Sequence, residues 1–325
     1  MSVTTVSHAL NAKGRLPAET REHVQRVAEK LAYKPSPTAR NLAGGKTGLL
    51  GLVVSQPRRG SFAVSDFAYF TEIMSAATAA AMAHGYALVL APPQWGLGGS
   101  ADVAVDGAIV IDPLRRDPLV RHFAEAGTPV VTTGRVLAWG GHDTWVDNDH
   151  AAATRRVLDH LATRGARRIG LLTNPTRISY TVDVEAAYTD WCAERGRDPI
   201  IKHARADLTE RAGFAAATEL LSLEEPPDAI HATYDRLAYG VVLAAEARGA
   251  QVPEDLLLAM TATNGGSPPV RPTITSLDLR PSEIGRRAAD LLVDLIEGRE
   301  PTERQLVVPT RLIPRGSTSR GLARV

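Results

Sequence analysis

Apolar residues recur along this chain with two different spacings, and the change between them divides it. In residues 3–11, Val3, Val6 and Leu10 fall at helical spacing, with Thr4, Thr5, Ser7 and His8 largely on the other side. Asn11-Ala12-Lys13-Gly14-Arg15 carries turn chemistry. A second helix is predicted over 17–31, where Val24, Val27, Ala28 and Leu31 follow the i, i+3, i+4, i+7 pattern. Glu19 and Glu22 in its first turn and Lys30 near its end complement the helix dipole. Pro35 and Pro37 break the pattern and open a linker. Residues 38–43 have the length of a short helix ended by Gly44-Gly45. From Leu49 the texture changes. Near-continuous apolar runs at 49–55, 86–91, 107–112, 129–134, 168–173, 229–233 and 256–261 predict strands buried on both faces, as in parallel sheets. Helical patterns at 70–84, 118–126, 151–164, 185–195, 211–223, 237–248 and 282–297 lie between and after them. Repeated β-α units imply right-handed crossovers and doubly wound sheets. So many units exceed one comfortable sheet, so two lobes are expected, with the split near 135–150. Residues 275–279 are expected to cross back, and 306–315 to add an edge strand.

Composition agrees with this division. The 325 residues are 44% hydrophobic and 22% charged, enough for about two domains with a sizeable core. The net charge of +1 hides an asymmetry. Residues 1–46 hold eight Lys/Arg against three acids, a head of +5 on a body of −4. A basic head on a mildly acidic body points to a polyanion-binding module joined to something else. The single cysteine, Cys192, excludes an intramolecular disulfide framework. The Cys and His positions lack metal-ligand spacing, so neither metal nor cofactor is expected. No apolar run approaches the ~18 residues of a membrane helix. The first residues lack the regions of a signal peptide, so a cytoplasmic chain without a membrane partner is expected.

Enzyme chemistry is hard to find. Gly45-Lys46-Thr47 resembles the end of a phosphate-binding loop, but the first glycine of that motif would fall on Arg40. Gly-x-Ser-x-Gly does not occur. Cys192, beside Trp191 in a helical pattern, is expected to be a packed thiol. His142, His150 and His160 share no ligand spacing and are expected at the surface or at helix caps. No catalytic residue is assigned and the chain is not expected to be an enzyme. The segment Ser2–Asn11 offers more. Small polar residues on one face with an apolar seam behind suit a helix lying in a DNA major groove, though an ordinary surface helix has the same pattern.

The order of the segments decides between these. Ser2-Val3-Thr4-Thr5-Val6-Ser7 through Leu10-Asn11, then Thr20-Arg21 with Val24, Ala28, Leu31, Tyr33 and Pro35, then Ala39-Arg40-Asn41-Leu42-Ala43-Gly44, are followed by Gly51-Leu52-Val53-Val54. Asp106-Gly107, Gly165-Ala166-Arg167-Arg168-Ile169, Val252-Pro253-Glu254-Asp255 and Arg315-Gly316-Ser317-Thr318 come later. This series resembles the LacI/GalR family of bacterial transcription regulators over nearly the whole chain. The resemblance implies an α/β fold: a two-lobed periplasmic-binding-protein-like core of two doubly wound parallel sheets, behind a small all-α helix-turn-helix head. It divides the chain into a head at 1–34, a hinge helix and linker at 35–48, and a core for effector binding and dimerisation at 49–325. The head looks partial, because the family's first helix has no counterpart ahead of Ser2.

The resemblance implies a repressor that binds a pseudo-palindromic double-stranded operator as a homodimer, with a small-molecule effector in the cleft between the lobes. A small-molecule-binding protein with a non-functional head is the alternative. On the DNA side, the carried-over positions are Val3, Thr4, Thr5 and His8 toward the bases and Arg15, Arg21 and Arg40 toward phosphates. Ala39 and Leu42 match the hinge helix, with Leu42 as the minor-groove wedge. On the effector side they are Tyr69, Phe70, Asp149, Ser179, Tyr180, Tyr234 and Asp235, with Ser179 and Tyr180 expected on a loop. Two departures bear on the effector. Val184 stands where the sugar binders of the family usually have Arg, and Met260-Thr261-Ala262-Thr263 replaces their Gly-Tyr-Asp. Both groups hold sugar hydroxyls by charge-assisted hydrogen bonds, so an effector other than a plain sugar is implied. The tail after Arg315 lacks heptads, so no tetramer-forming coiled coil is expected there.

Overall fold

The computed structural model describes residues 2, 5, 6, 9, 16–31, 45–55, 67–93, 95, 103–140, 142–262 and 271–319. In the head, residues 5, 6 and 9 are helical, and the Ser2 hydroxyl caps that helix by accepting from the Thr5 N–H at 3.1 Å. Helix α1, Ala18–Lys30, follows, with Glu19 in its first turn and Lys30 in its last. Of its apolar stripe Val24 is buried, while Leu31 just beyond it stays 72% exposed. The chain enters the body through a clamp. The Asp106 carboxylate accepts from the backbone N–H groups of Thr47 and Gly48, both at 2.7 Å, and Lys46 pairs with Glu297 at 2.7 Å.

Two sheets make the body. The first has the order β11-β5-β4-β3-β1-β2, where β1 is Leu49–Val54, β2 Ala87–Ala91, β3 Gly107–Ile111, β4 Val130–Thr133, β5 Trp145–Asp147 and β11 Gln305–Val307. Every pairing in it is parallel. The second has the order β12-β10-β9-β8-β6-β7, where β6 is Ile169–Thr173, β7 Ile200–His203, β8 Ala229–Ala232, β9 Leu257–Ala262, β10 Thr275–Asp278 and β12 Arg311–Ile313. It is parallel except for β12, which runs antiparallel to β10. Each of β3, β4, β6 and β8 is buried along its whole length, as the continuous apolar runs require.

Helices α2 (Ala68–Ala83), α3 (Pro118–Glu125) and α8 (Pro281–Ile296) belong to lobe 1. Helices α4 (His150–Thr163), α5 (Ser179–Ala193), α6 (Glu210–Leu221) and α7 (Asp235–Ala247) belong to lobe 2. Helix contacts are close where side chains are absent. A Cβ on Gly285 of α8 would lie 2.3 Å from the Ile73 carbonyl oxygen of α2, and one on Gly240 of α7 would lie 2.3 Å from the Phe214 nitrogen of α6. The chain passes between the lobes after β5, after β10 and after β11.

Several expectations change here. Residues 275–279 were expected only to cross back, but 275–278 form β10 and the crossing follows it. The single edge strand expected at 306–315 is two strands, β11 and β12, one in each sheet. Strands β5 and β7 went unpredicted because each is three or four residues long, too short for a periodic signal. The tail landmark Arg315–Thr318 caps and forms a 3₁₀ turn, Gly316–Thr318, in which Ser317 and Thr318 are buried. Its Ser317 hydroxyl accepts from the Thr275 N–H at 2.8 Å and donates to the Leu258 carbonyl at 2.5 Å.

Candidate functional site between the lobes

The strand C-termini of both sheets meet at the cleft, where open α/β sheets place their ligands. A cavity of about 50 Å³ lies there, small because rings from both lobes fill it. Lobe 1 contributes Phe67, Tyr69 and Phe70 at the start of α2, and Asp112 just past β3. Lobe 2 contributes Tyr180 at the start of α5, Tyr234 and Asp235 at the start of α7, and Thr233 and Thr261 at their strand ends. The rings meet edge to face. Tyr69 and Phe70 have centroids 5.3 Å apart, Tyr180 and Tyr234 5.8 Å, and Phe67 and Tyr234 6.3 Å, the last pair across the lobes.

A polar floor lies beneath the rings. His150 opens α4 and is 4% exposed; its Nε2 is 2.7 Å from the Asp147 carboxylate. The same carboxylate accepts from the Asn148 N–H at 2.8 Å and from the Ser179 hydroxyl at 3.3 Å. Burial alone would lower the His150 pKa, but the Asp147 charge and hydrogen bond outweigh it and raise it. Asp112 sits at φ 49°, in the left-handed region. Burial, with the Asp147 charge added, pushes its carboxyl up to about 7, against a smaller opposite pull from His150. Burial likewise raises Asp235 and the hydroxyls of Tyr69, Tyr180 and Tyr234. Three buried polar atoms around the first crossing lack a hydrogen-bond partner among the described residues: Thr133 Oγ1, Asn148 Oδ1 and His150 Nδ1.

Of the effector-side residues expected from sequence, Tyr69, Phe70, Tyr180, Tyr234 and Asp235 line this cavity. Ser179 and Tyr180 both stand in the first turn of α5 and not on a loop, and of the two only Tyr180 lines the cavity. Ser179 lies behind the wall, on Asp147. Asp149 is exposed and caps α4 by accepting from the Ala152 N–H at 2.9 Å, so its neighbours Asp147 and His150 are the polar groups that reach the cleft. His150 was expected at the surface or at a cap; packing against Tyr180 at 4.9 Å and pairing with Asp147 bury it instead. His142 stacks on Trp139, and His160 bonds the Thr318 hydroxyl at 2.9 Å. Sequence reasoning missed Asp112, Thr233 and Thr261, although each stands at the C-terminal end of a predicted strand. On the DNA side, Thr5 lies in the capped first helix and Arg21 is half-buried in α1. Val3, Thr4, His8, Arg15, Ala39, Arg40 and Leu42 lie outside the described residues.

Residues 1–36 match the family model for bacterial regulatory proteins of the lacI family, and 158–318 match the periplasmic binding protein-like domain. The chain is 30% identical over 323 residues to the HTH-type transcriptional regulator CelR of Thermobifida fusca, covering 96% of this chain and 94% of that one. It is 29% identical to the HTH-type transcriptional regulator RafR of Escherichia coli, covering 98% and 95%. Among solved structures, the CelR–cellobiose complex superposes with a TM-score of 0.73 at 27% identity, covering 98% of this chain and 96% of that one. The lac repressor dimer bound to operator and an anti-inducer shares the fold, with a TM-score of 0.77 at 20% identity over 98% and 96% of the two chains. The chain therefore belongs to the lacI family of bacterial regulatory proteins and is a ligand-responsive, DNA-binding transcriptional regulator.

Proposed function

We propose that the protein is a cytoplasmic repressor that binds a pseudo-palindromic operator as a homodimer and is switched by a small molecule seated among the rings of the cleft. The observation that carries this is the ring cluster itself. Phe67, Tyr69 and Phe70 from one lobe face Tyr180 and Tyr234 from the other, beside the chain crossings. A ligand inserted there has different contacts in open and closed lobes, and only that difference can shift the equilibrium. The cleft binds and does not catalyse; the relatives it matches are regulators. Homodimerisation is supported by apolar side chains left out in both lobes, Met82 at 67% and Leu90 at 60% in lobe 1, with Phe214 and Leu243 in lobe 2. Val184 is buried in the α5 core and cannot replace an arginine toward sugar hydroxyls, which supports an effector other than a plain sugar.

The test is binding of the full chain to labelled DNA from its own upstream region, with random DNA as competitor. Specific binding that falls about 10³-fold between about 50 and about 200 mM salt is expected, since phosphate contacts dominate. Weak binding that is equal for both DNAs would overturn the reading. Leu42→Ala is expected to weaken operator binding and bending while leaving the melting temperature unchanged. Unchanged bending would remove the wedge.

A further inference from the structure

The chemistry of the cavity wall narrows the effector, on the premise that the cleft is the effector site. Each lobe brings one carboxylate to the wall, Asp112 from lobe 1 and Asp235 from lobe 2. Among the described residues no Lys or Arg lines the cavity. The Arg236 guanidinium lies over the Phe67 ring at 5.8 Å. The charge of His150 is answered by Asp147. His150, shared with Asp147, pulls weakly on Asp112, and Arg236 pulls weakly on Asp235, yet burial outweighs both and leaves two under-compensated acids in an aromatic wall. The surroundings oppose the ionised form of both, and Asp112 receives no hydrogen bond among the described residues. Asp112 lines the cavity together with Tyr69, Tyr180 and Tyr234, and its charge raises the hydroxyls of all three. Ring faces carry negative potential and attract organic cations, most strongly where water is excluded.

Hydrogen-bonding capacity points the same way. The Tyr180 hydroxyl is committed to the Thr233 carbonyl at 2.8 Å. The wall thus offers carboxylate acceptors and few free donors, which suits a ligand that donates. We propose that the effector is an organic cation with a flat apolar body, an arylalkylamine in chemical class, whose charge is met by Asp112 and Asp235 and whose body packs among the tyrosines. Because the acids sit on opposite lobes, one cation between them favours the closed arrangement over the open one. That is the differential affinity a switch needs.

The experiment is calorimetric titration of the full chain near pH 8 with matched probes. Tyramine supplies the cation, tyrosol the neutral hydroxyl isostere, 4-hydroxyphenylacetate the anion and cellobiose the sugar. Tyramine is expected to bind at least about tenfold tighter than tyrosol, and 4-hydroxyphenylacetate weakest. Asp112→Asn and Asp235→Asn are each expected to remove most of that preference, lowering tyramine affinity far more than tyrosol affinity. Asn tolerates the left-handed backbone at 112, so the variant keeps its fold, and the melting temperature checks this. Equal binding of tyramine and tyrosol, no binding of tyramine, or a preference that survives both Asn variants would each overturn the cationic class. Cellobiose binding in place of tyramine would overturn it too, yet leave the cleft as the effector site. The DNA assay above stands or fails independently of all these outcomes.

Discussion

Asp112 shows what a single backbone angle and its surroundings can do to a side chain. Its φ of 49° is rare outside glycine, yet Asp and Asn visit it more readily than other residues. The turn aims a carboxyl into an aromatic wall, where its pKa rises to about 7. A carboxyl held above its unfolded value binds its proton more tightly in the folded chain. Stability then falls as pH rises from the ordinary carboxylate range through about 7. The full shift corresponds to at most about 4 kcal/mol. His150, also raised, acts in the same direction from about its unfolded pKa of 6.5 upward. Asp112→Asn isolates the first contribution. Its melting temperature is expected to match that of the wild type only at or below the unfolded carboxylate pKa of about 4 and to exceed it increasingly up to about pH 7, by several degrees near pH 8. Parallel curves at all pH values would show that the carboxyl titrates normally. Little of this was legible in sequence. Aromatic residues at helix starts, such as Tyr69 and Tyr234, were found by their place in a pattern. Asp112, His150 and Asp147 were not, because their roles depend on packing from a second lobe.

Elements were far more legible than side-chain roles. Continuous apolar runs located the long strands because a parallel strand buried on both faces has no polar alternation to hide it. The short strands β5 and β7, and the allocation of β11 and β12 to different sheets, follow from pairing with distant strands, which local pattern does not encode. The landmarks that carried the family resemblance turn out to be joints. Asp106 clamps the entry of the linker, Asp228 accepts from the N–H groups of Arg167 and Arg168 at 2.9–3.0 Å, and Asp255 accepts from Gln251 at 2.8 Å. They hold elements in place and are remote from the cavity wall. Glycines in helices do comparable work by absence. Gly285→Ala would set a methyl group against the Ile73 backbone, so α2 and α8 must separate. A loss of about 1–3 kcal/mol in denaturant unfolding is expected. Gly140→Ala, with no atom within 4 Å of the new methyl, is the control and is expected to change little. Equal effects at both sites would mean that the helix contact is slack.

At the scale of the whole molecule, the question is how one side of the cleft knows where the other side is. Three segments cross between the lobes, and Asn148 touches all of them. It lies on the first crossing, and its Nδ2 donates to the Leu279 carbonyl on the second at 3.1 Å and to the Val308 carbonyl on the third at 2.7 Å. The Val308 N–H returns a bond to the Asp147 carbonyl at 2.8 Å. Asp147 in turn holds His150 and Ser179, directly behind the ring cluster. The crossings are thus tied to each other and to the floor of the cavity by one amide and its neighbour. A hinge built this way moves as a unit, so rearrangement of the rings is carried to all three crossings together. Asn148→Ala removes both donors and leaves two buried carbonyls unpaired, at a cost of about 1–3 kcal/mol. Its larger consequence is expected in coupling. Distances between labels on the two lobes should spread over a broader distribution than in the wild type, in single-molecule energy transfer. Operator affinity of the ligand-free protein should change little, while the effector should shift that affinity by several-fold less. A variant with the wild-type distance distribution and an intact effector response would show that the crossings hold their register through the backbone alone.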